Sequence, residues 1–190
     1  MLCKFRLWCL LSIVFFLSSC AGSSKYMKPA QSLLSPNNNK ALVRFMRPSG
    51  FGFAINFNVL DGEKVIGNSV AKSQFDYLAD PGKHLFITTA ENKAFLEAEL
   101  EGGKTYYVIT RIYPGVMFAR VTFIAVNKGT EFWGKVLEYE NTLVKLEPDI
   151  EVLKHWEESN KPKIQKVLSS YESIWKEKHQ WPKLSPEDGR

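Results

Sequence analysis

Between Lys40 and Val126 large apolar residues recur at alternate positions, and Gly, Pro and Asp break the pattern at short intervals. Period two puts neighbouring side chains on opposite faces of an extended strand, and breaks this frequent leave room only for short strands joined by tight turns. Phe53, Ile55, Phe57 and Val59 alternate with Ala54, Asn56 and Asn58, which predicts one strand over 53–60. Tyr106, Val108, Thr110 and Ile112 alternate with Tyr107, Ile109 and Arg111, and large groups on both faces predict an interior strand covered on two sides.

The turns are equally legible. Asp61-Gly62 supplies residues that accept the positive φ of a tight hairpin, Pro81-Gly82 fits the centre of a type II turn, and Glu101-Gly102-Gly103-Lys104 separates two further strands. The strands fall at 41–46, 53–60, 63–67, 74–79, 83–90, 93–100, 104–112 and 116–126. Short strands in sequence with no helix between them predict a mainly β chain, an antiparallel β-sandwich of about seven or eight strands, over a parallel sheet.

Beyond Asn127 the period lengthens. Thr130 is placed to cap a short helix carrying Phe132, Trp133, Val136 and Tyr139, and 149–157 reads as another with Ile150, Leu153 and Trp156 on one side. The clearest helix starts near Ser159-Asn160-Lys161-Pro162, where polar cap residues precede a proline tolerated in a first turn. Ile164, Val167, Leu168, Tyr171 and then Ile174 or Trp175 form its apolar stripe, and Trp181-Pro182 ends it. Residues 129–190 are therefore expected to be a C-terminal helical segment after a β domain at 40–128.

The N-terminus carries a different kind of signal. Lys4 and Arg6 precede an apolar run from Leu7 to Leu17, followed by small residues and Cys20. That is the layout of an export signal. At about 1.5 Å per residue the run covers roughly half of the ~30 Å hydrocarbon core, so removal fits better than retention as a span. Leu17-Ser18-Ser19-Cys20, followed by Ala21-Gly22-Ser23-Ser24, resembles the lipobox of bacterial lipoproteins. In that class the thiol is alkylated by diacylglycerol, the chain is cut before the cysteine and the new amine receives a fatty acyl group such as palmitate. The alternative is an ordinary secretory signal cut near Ala21 or Gly22.

Cysteine usage favours lipidation: Cys3 and Cys9 leave with a signal peptide over 1–19, Cys20 is then the single thiol, and no disulfide can close within one mature chain. Several acyl chains make attachment to a bilayer effectively permanent. Ala21 after the cysteine resembles the residue that permits sorting to the outer membrane in many Gram-negative bacteria. Residues 20–39, rich in Ser, Asn, Gly and Pro, read as the lipidated cysteine and a flexible tether with a reach of about 25 Å.

Charge does not point to nucleic acid. The formal net charge of +5 includes Lys4 and Arg6, and without them 23 bases against 20 acids leave +3. Catalytic and cofactor motifs are missing from the pattern as well. His84, His155 and His179 stand at no metal-ligand spacing, and no serine sits in a Gly-x-Ser-x-Gly elbow. Asp76, Asp80, Glu97 and Glu99 offer carboxylates of the kind glycan hydrolysis uses, but alternation puts Glu97 and Glu99 on the solvated face of a strand.

Ser49-Gly50-Phe51-Gly52-Phe53 precedes a strand, so it lacks the helix N-terminus of a phosphate cradle and reads as a loop whose Phe51 is a contact residue if exposed. Lys161, Lys163 and Lys166 form a modest basic cluster that reads as a solvated face, with headgroup contact as the alternative. The aromatics, including Trp133, Trp156, Trp175 and Trp181, are expected mostly in cores.

Several motifs carry a family resemblance: Ala41-Leu-Val-Arg44-Phe-Met-Arg47-Pro48, Val59-Leu-Asp-Gly-Glu-Lys-Val-Ile-Gly67, Phe75-Asp-Tyr77, Asp80-Pro-Gly-Lys-His84 and Gly102-Gly-Lys-Thr-Tyr-Tyr-Val108. With these the chain, over about 40–126, resembles a family of short bacterial lipoproteins called domain of unknown function 2846. The resemblance implies a small immunoglobulin- or transthyretin-like β-sandwich on a lipid anchor, and it brings no catalytic residues.

These readings converge on a non-enzymatic envelope lipoprotein, anchored to the lipid bilayer through acylated Cys20, on the outer membrane facing the periplasm. It needs no cofactor or metal and presents a surface to an envelope protein partner. That partner's identity and the number of copies are left open. A glycan- or peptidoglycan-binding module is the second reading, and a hydrolase the third.

Overall fold

The computed structural model describes residues 24–190. The chain is mainly β, with eleven strands among the described residues in two mixed sheets and a long C-terminal helix. The strands are β1 (Met27–Pro29), β2 (Ala41–Arg47), β3 (Phe57–Asp61), β4 (Lys64–Ser69), β5 (Ser73–Ala79), β6 (Gly82–Thr89), β7 (Lys93–Leu100), β8 (Thr105–Pro114), β9 (Ala119–Ala125), β10 (Val144–Pro148) and β11 (Lys183–Leu184). Helix α1 is Val136–Thr142 and α2 is Ile150–Ser170, continued by a π-helical turn, Tyr171–Trp175.

One sheet has the order β1-β10-β5-β2-β8-β9 and the other β11-β7-β6-β3-β4. Their facing sides share one core, in which Phe45 of β2 stacks on Phe75 of β5 at 5.0 Å and meets the edge of Phe86 of β6 at 5.2 Å. Such aromatic pairs contribute about 0.5–1.5 kcal/mol beyond the area they bury. Each outer side is covered too. Val136 of α1 with Phe132 and Leu143 packs on Met46, Tyr107 and Ile109, while α2 lays Leu153 and Ile164 on Leu60, Ile87 and Phe95. Double cover explains why every residue of β2 is buried and why β8 is apolar on both faces.

Eight of the strands, β2 to β9, occupy the segments where period two predicts them. The purely antiparallel arrangement needs correction, because β2 pairs in parallel with β8, β10 with β5 and β11 with β7. The extra strands come from segments read as tether and helical tail. Met27 is buried and β1 pairs with β10, so part of 20–39 is built into the body. Residues 129–190 likewise hold a strand for each sheet. Three short strands of mixed composition have too few residues to show a period; their partners define them.

The two helices predicted over 149–157 and from about 159 onward are one. Helix α2 runs through Pro162, capped at its start by Asp149, whose Oδ1 accepts from the Val152 amide at 3.5 Å. Pro162 has no N–H to give the Glu158 carbonyl, and both residues are exposed, so the helix continues through it on its solvent side. No helix among the described residues is long and apolar enough to cross a membrane.

Candidate functional site

The strand registers gather several connections at one end of the body. Arg47 is opposite Ser73, Val59 opposite Thr88, Thr89 opposite Lys93 and Pro114 opposite Ala119. The segments 48–56, 70–72, 90–92 and 115–118 therefore lie at this end, and the turns at 62–63, 80–81 and 101–104 lie at the other.

A buried cation organises the longest of these loops. Arg47 is 1% exposed, and its guanidinium donates to the carbonyls of Ile55 (2.7 Å), Gly52 (2.7 Å), Phe51 (2.9 Å) and Ser69 (3.2 Å). Burial pushes its pKa down to about 10, so it stays charged at neutral pH. Four carbonyl oxygens in place of a carboxylate hold the charge, and they wrap the chain around it. Gly52, with φ +64°, takes the left-handed conformation this wrapping requires.

The predicted strand 53–60 consequently begins only at Phe57. Phe53 and Ile55 leave the alternation and point outward, Phe53 at 69% exposure. The predicted strand 116–126 is shortened in the same way. Glu91 accepts from the amides of Phe118 (2.8 Å), Val116 (3.1 Å) and Met117 (3.1 Å), which curls those residues into a loop and starts β9 at Ala119. These hydrogen bonds hold the Glu91 carboxyl below its usual range. Val116, Met117 and Phe118 are 89%, 80% and 73% exposed. A groove of about 650 Å³ separates the loops, lined by Phe51, Ile55, Phe57, Pro114, Met117 and Phe118 among others. Exposed apolar side chains are thus concentrated at this end, where scattered single ones would be ordinary.

Elsewhere reactive groups are tied to one another. His84 Nδ1 lies 2.7 Å from Asp61 Oδ2 and Nε2 lies 2.8 Å from the Asp80 carbonyl, while Tyr77 donates to Asp61 at 2.9 Å. Two acceptors demand two N–H donors, so the site favours imidazolium; the hydrogen bond to Asp61 raises the His84 pKa above its ordinary value. Asp76 is held by Arg44 and Asp80 by Lys40. Glu97 accepts from Tyr171 and pairs with Lys183 under the C-terminal segment, in contrast to the solvated position that alternation predicts; Glu99 is exposed. Of the four candidate carboxylates, Asp76 is on β5, Asp80 is in the turn after it, and Glu97 and Glu99 are on β7 of the other sheet.

His155 is exposed on α2, and His179 stacks on Trp175 at 5.0 Å and meets the edge of Trp181 at 5.3 Å. No three His, Cys, Asp or Glu side chains group to hold a metal ion among the described residues. Lys161, Lys163 and Lys166 are exposed along α2. Trp133, Trp156, Trp175 and Trp181 are all half-buried and join the outer clusters, Trp133 beneath the Arg190 guanidinium at 3.8 Å. Phe51 is 52% exposed. Cys20 lies outside the described residues.

Sequence reasoning passed over the most buried charges. Arg44, part of a strand motif in the sequence, binds Asp76, Glu140 and the Leu34 carbonyl, and Tyr107 donates to Glu140 at 2.8 Å. Asp61, a turn former in the sequence pattern, accepts from Tyr77 and pairs with His84. The one available signal was a charged residue inside an otherwise apolar strand, as at Arg44 and Arg47. No family model matches the chain, and no curated protein and no solved structure matches it.

Proposed function

We propose that this chain is a non-enzymatic lipoprotein of the bacterial cell envelope, attached through acylated Cys20 to the outer membrane on its periplasmic side, whose body serves as a protein-contact or structural module. The observation that carries the reading is Leu17-Ser18-Ser19-Cys20 at the end of an apolar run with Lys4 and Arg6 ahead of it. The engagement of His84, Asp76, Asp80 and Glu97 in internal pairs supports a role by contact over one by chemistry. The family reading is part of this proposal: the motifs by which the chain resembles domain of unknown function 2846 fall on β2, β3 to β4, β5, the turn into β6 and the start of β8. A core shared by both sheets supports the immunoglobulin- or transthyretin-like sandwich, with the parallel pairings as departures from it.

Metabolic labelling with a fatty acid tests the anchor. The wild-type chain is expected to take up label and Cys20→Ser to take up none; label that survives the substitution overturns the reading. A glycan-binding role is the second reading, favoured by a groove of about 770 Å³ that brings Trp175, His179 and Trp181 beside Lys93, Tyr113 and Arg120. Peptidoglycan pull-down that weakens in Trp175→Ala would favour it, and equal retention of both chains would remove it.

A further inference from the structure

The described chain enters the body beside Asn68, near the end of β4 that leads into 70–72. Ser24 Oγ donates to Asn68 Oδ1 at 2.8 Å. The carbonyl of the following residue, Ser69, accepts from Arg47, and the same guanidinium holds the carbonyls of Phe51, Gly52 and Ile55. Ser24 is thus connected to the 50–56 loop through two side chains and one peptide. Cys20 precedes Ser24 by four residues, which span at most about 14 Å when fully extended. A lipid on Cys20 is therefore within about 14 Å of Ser24, a reach that includes this end of the body.

The chemistry of that end fits a bilayer. Phe51, Phe53 and Ile55 on one loop and Val116, Met117 and Phe118 on the other are exposed. Exposed Lys72 lies against Gly50, and exposed Arg120 follows the second loop, which gives the apolar surface a basic rim. The nearest carboxylate, Glu91, already accepts three backbone hydrogen bonds. Phe and Met side chains beside cations are what the boundary between acyl chains and anionic headgroups accommodates.

We propose that the loops at 50–56 and 115–118 are a second membrane contact, inserting into the same leaflet as the Cys20 acyl chains. They fix the body with its 62–63, 80–81 and 101–104 turns directed away from the membrane. This rests on the lipidation of Cys20 and adds an orientation to it: the surface left for a protein partner is the far end and the flanks.

The test uses the protein isolated from cell envelopes and reconstituted into phosphatidylethanolamine–phosphatidylglycerol vesicles, with Cys20→Ser in buffer as reference. Hydrogen exchange is followed by mass spectrometry, and the N-terminal peptide of the same sample is weighed. An acylated Cys20 with 50–56 and 115–118 exchanging more slowly on vesicles than in the reference supports the proposal. An acylated Cys20 with both loops exchanging as in the reference overturns the second contact and leaves the anchor standing. An unmodified Cys20 overturns the anchor and the proposal with it. Protection in buffer that grows with protein concentration overturns it in favour of a second copy of this chain. In the Cys20→Ser background, Phe53→Ser with Phe118→Ser, both at exposed positions, is expected to lower partition onto the same vesicles by about tenfold or more; unchanged partition overturns the proposal.

Discussion

Arg44 and Asp76 face each other across the antiparallel pairing of β2 and β5, joined by two hydrogen bonds, Nε to Oδ1 at 2.6 Å and Nη2 to Oδ2 at 3.0 Å, with both side chains 6% exposed. A charge pair this dry depends on both members. Asp76→Ala is expected to lower unfolding stability by about 3–5 kcal/mol, because Arg44 keeps only Glu140 and one carbonyl. Urea unfolding measures it. The triple replacement Arg44→Met, Asp76→Leu and Glu140→Gln should cost less than the single change, since it leaves no charge of this cluster without its partner.

Arg47→Met removes the donor that four carbonyls share, while a side chain of similar length keeps the space filled. The expected loss is about 2–4 kcal/mol, with amide exchange accelerated first in 50–56. Exchange that rises evenly over the whole chain would show that Arg47 supports the body as a whole more than this loop.

The His84–Asp61 pair predicts a pH dependence of definite sign. The folded pKa of His84 is raised above its ordinary 6.5 by the hydrogen bond to Asp61. Its contribution to stability is therefore complete below 6.5 and is lost as pH rises through the folded value. Unfolding midpoints of the wild type should fall relative to His84→Gln as pH increases above that point, and a difference independent of pH would contradict the assignment.

Gly67 lets a ring approach the backbone. A Cβ there would stand 2.5 Å from Cε2 and 2.7 Å from Cζ of Phe75, a ring already stacked on Phe45 at 5.0 Å. Gly67→Ala is expected to destabilise by about 1–3 kcal/mol through overpacking. The second-site change Phe75→Leu should recover part of that loss in the same unfolding assay.

Alternation identified β2 to β9 because each strand buries at least one face in a core large enough to impose period two on its residues. It misjudged two strand starts, Phe53 and Val116, for one reason. A side chain from elsewhere, Arg47 in one case and Glu91 in the other, takes the local backbone groups that would have paired in a sheet. β10 and β11 carry no readable period, since their positions follow from the docking of segments distant in sequence. Of the candidate site, only Phe51 was legible. The apolar character of Phe53 and Met117 was plain in the sequence, but it was indistinguishable from that of core residues.

The mass of the N-terminal peptide of the protein isolated from bacterial envelopes tests the central claim most directly. A peptide beginning at Cys20 and carrying a diacylglyceryl thioether with an acylated amine is predicted. A chain that starts at Ala21 or Gly22, or a Cys20 with a free thiol on a protein recovered from the soluble fraction, would contradict it.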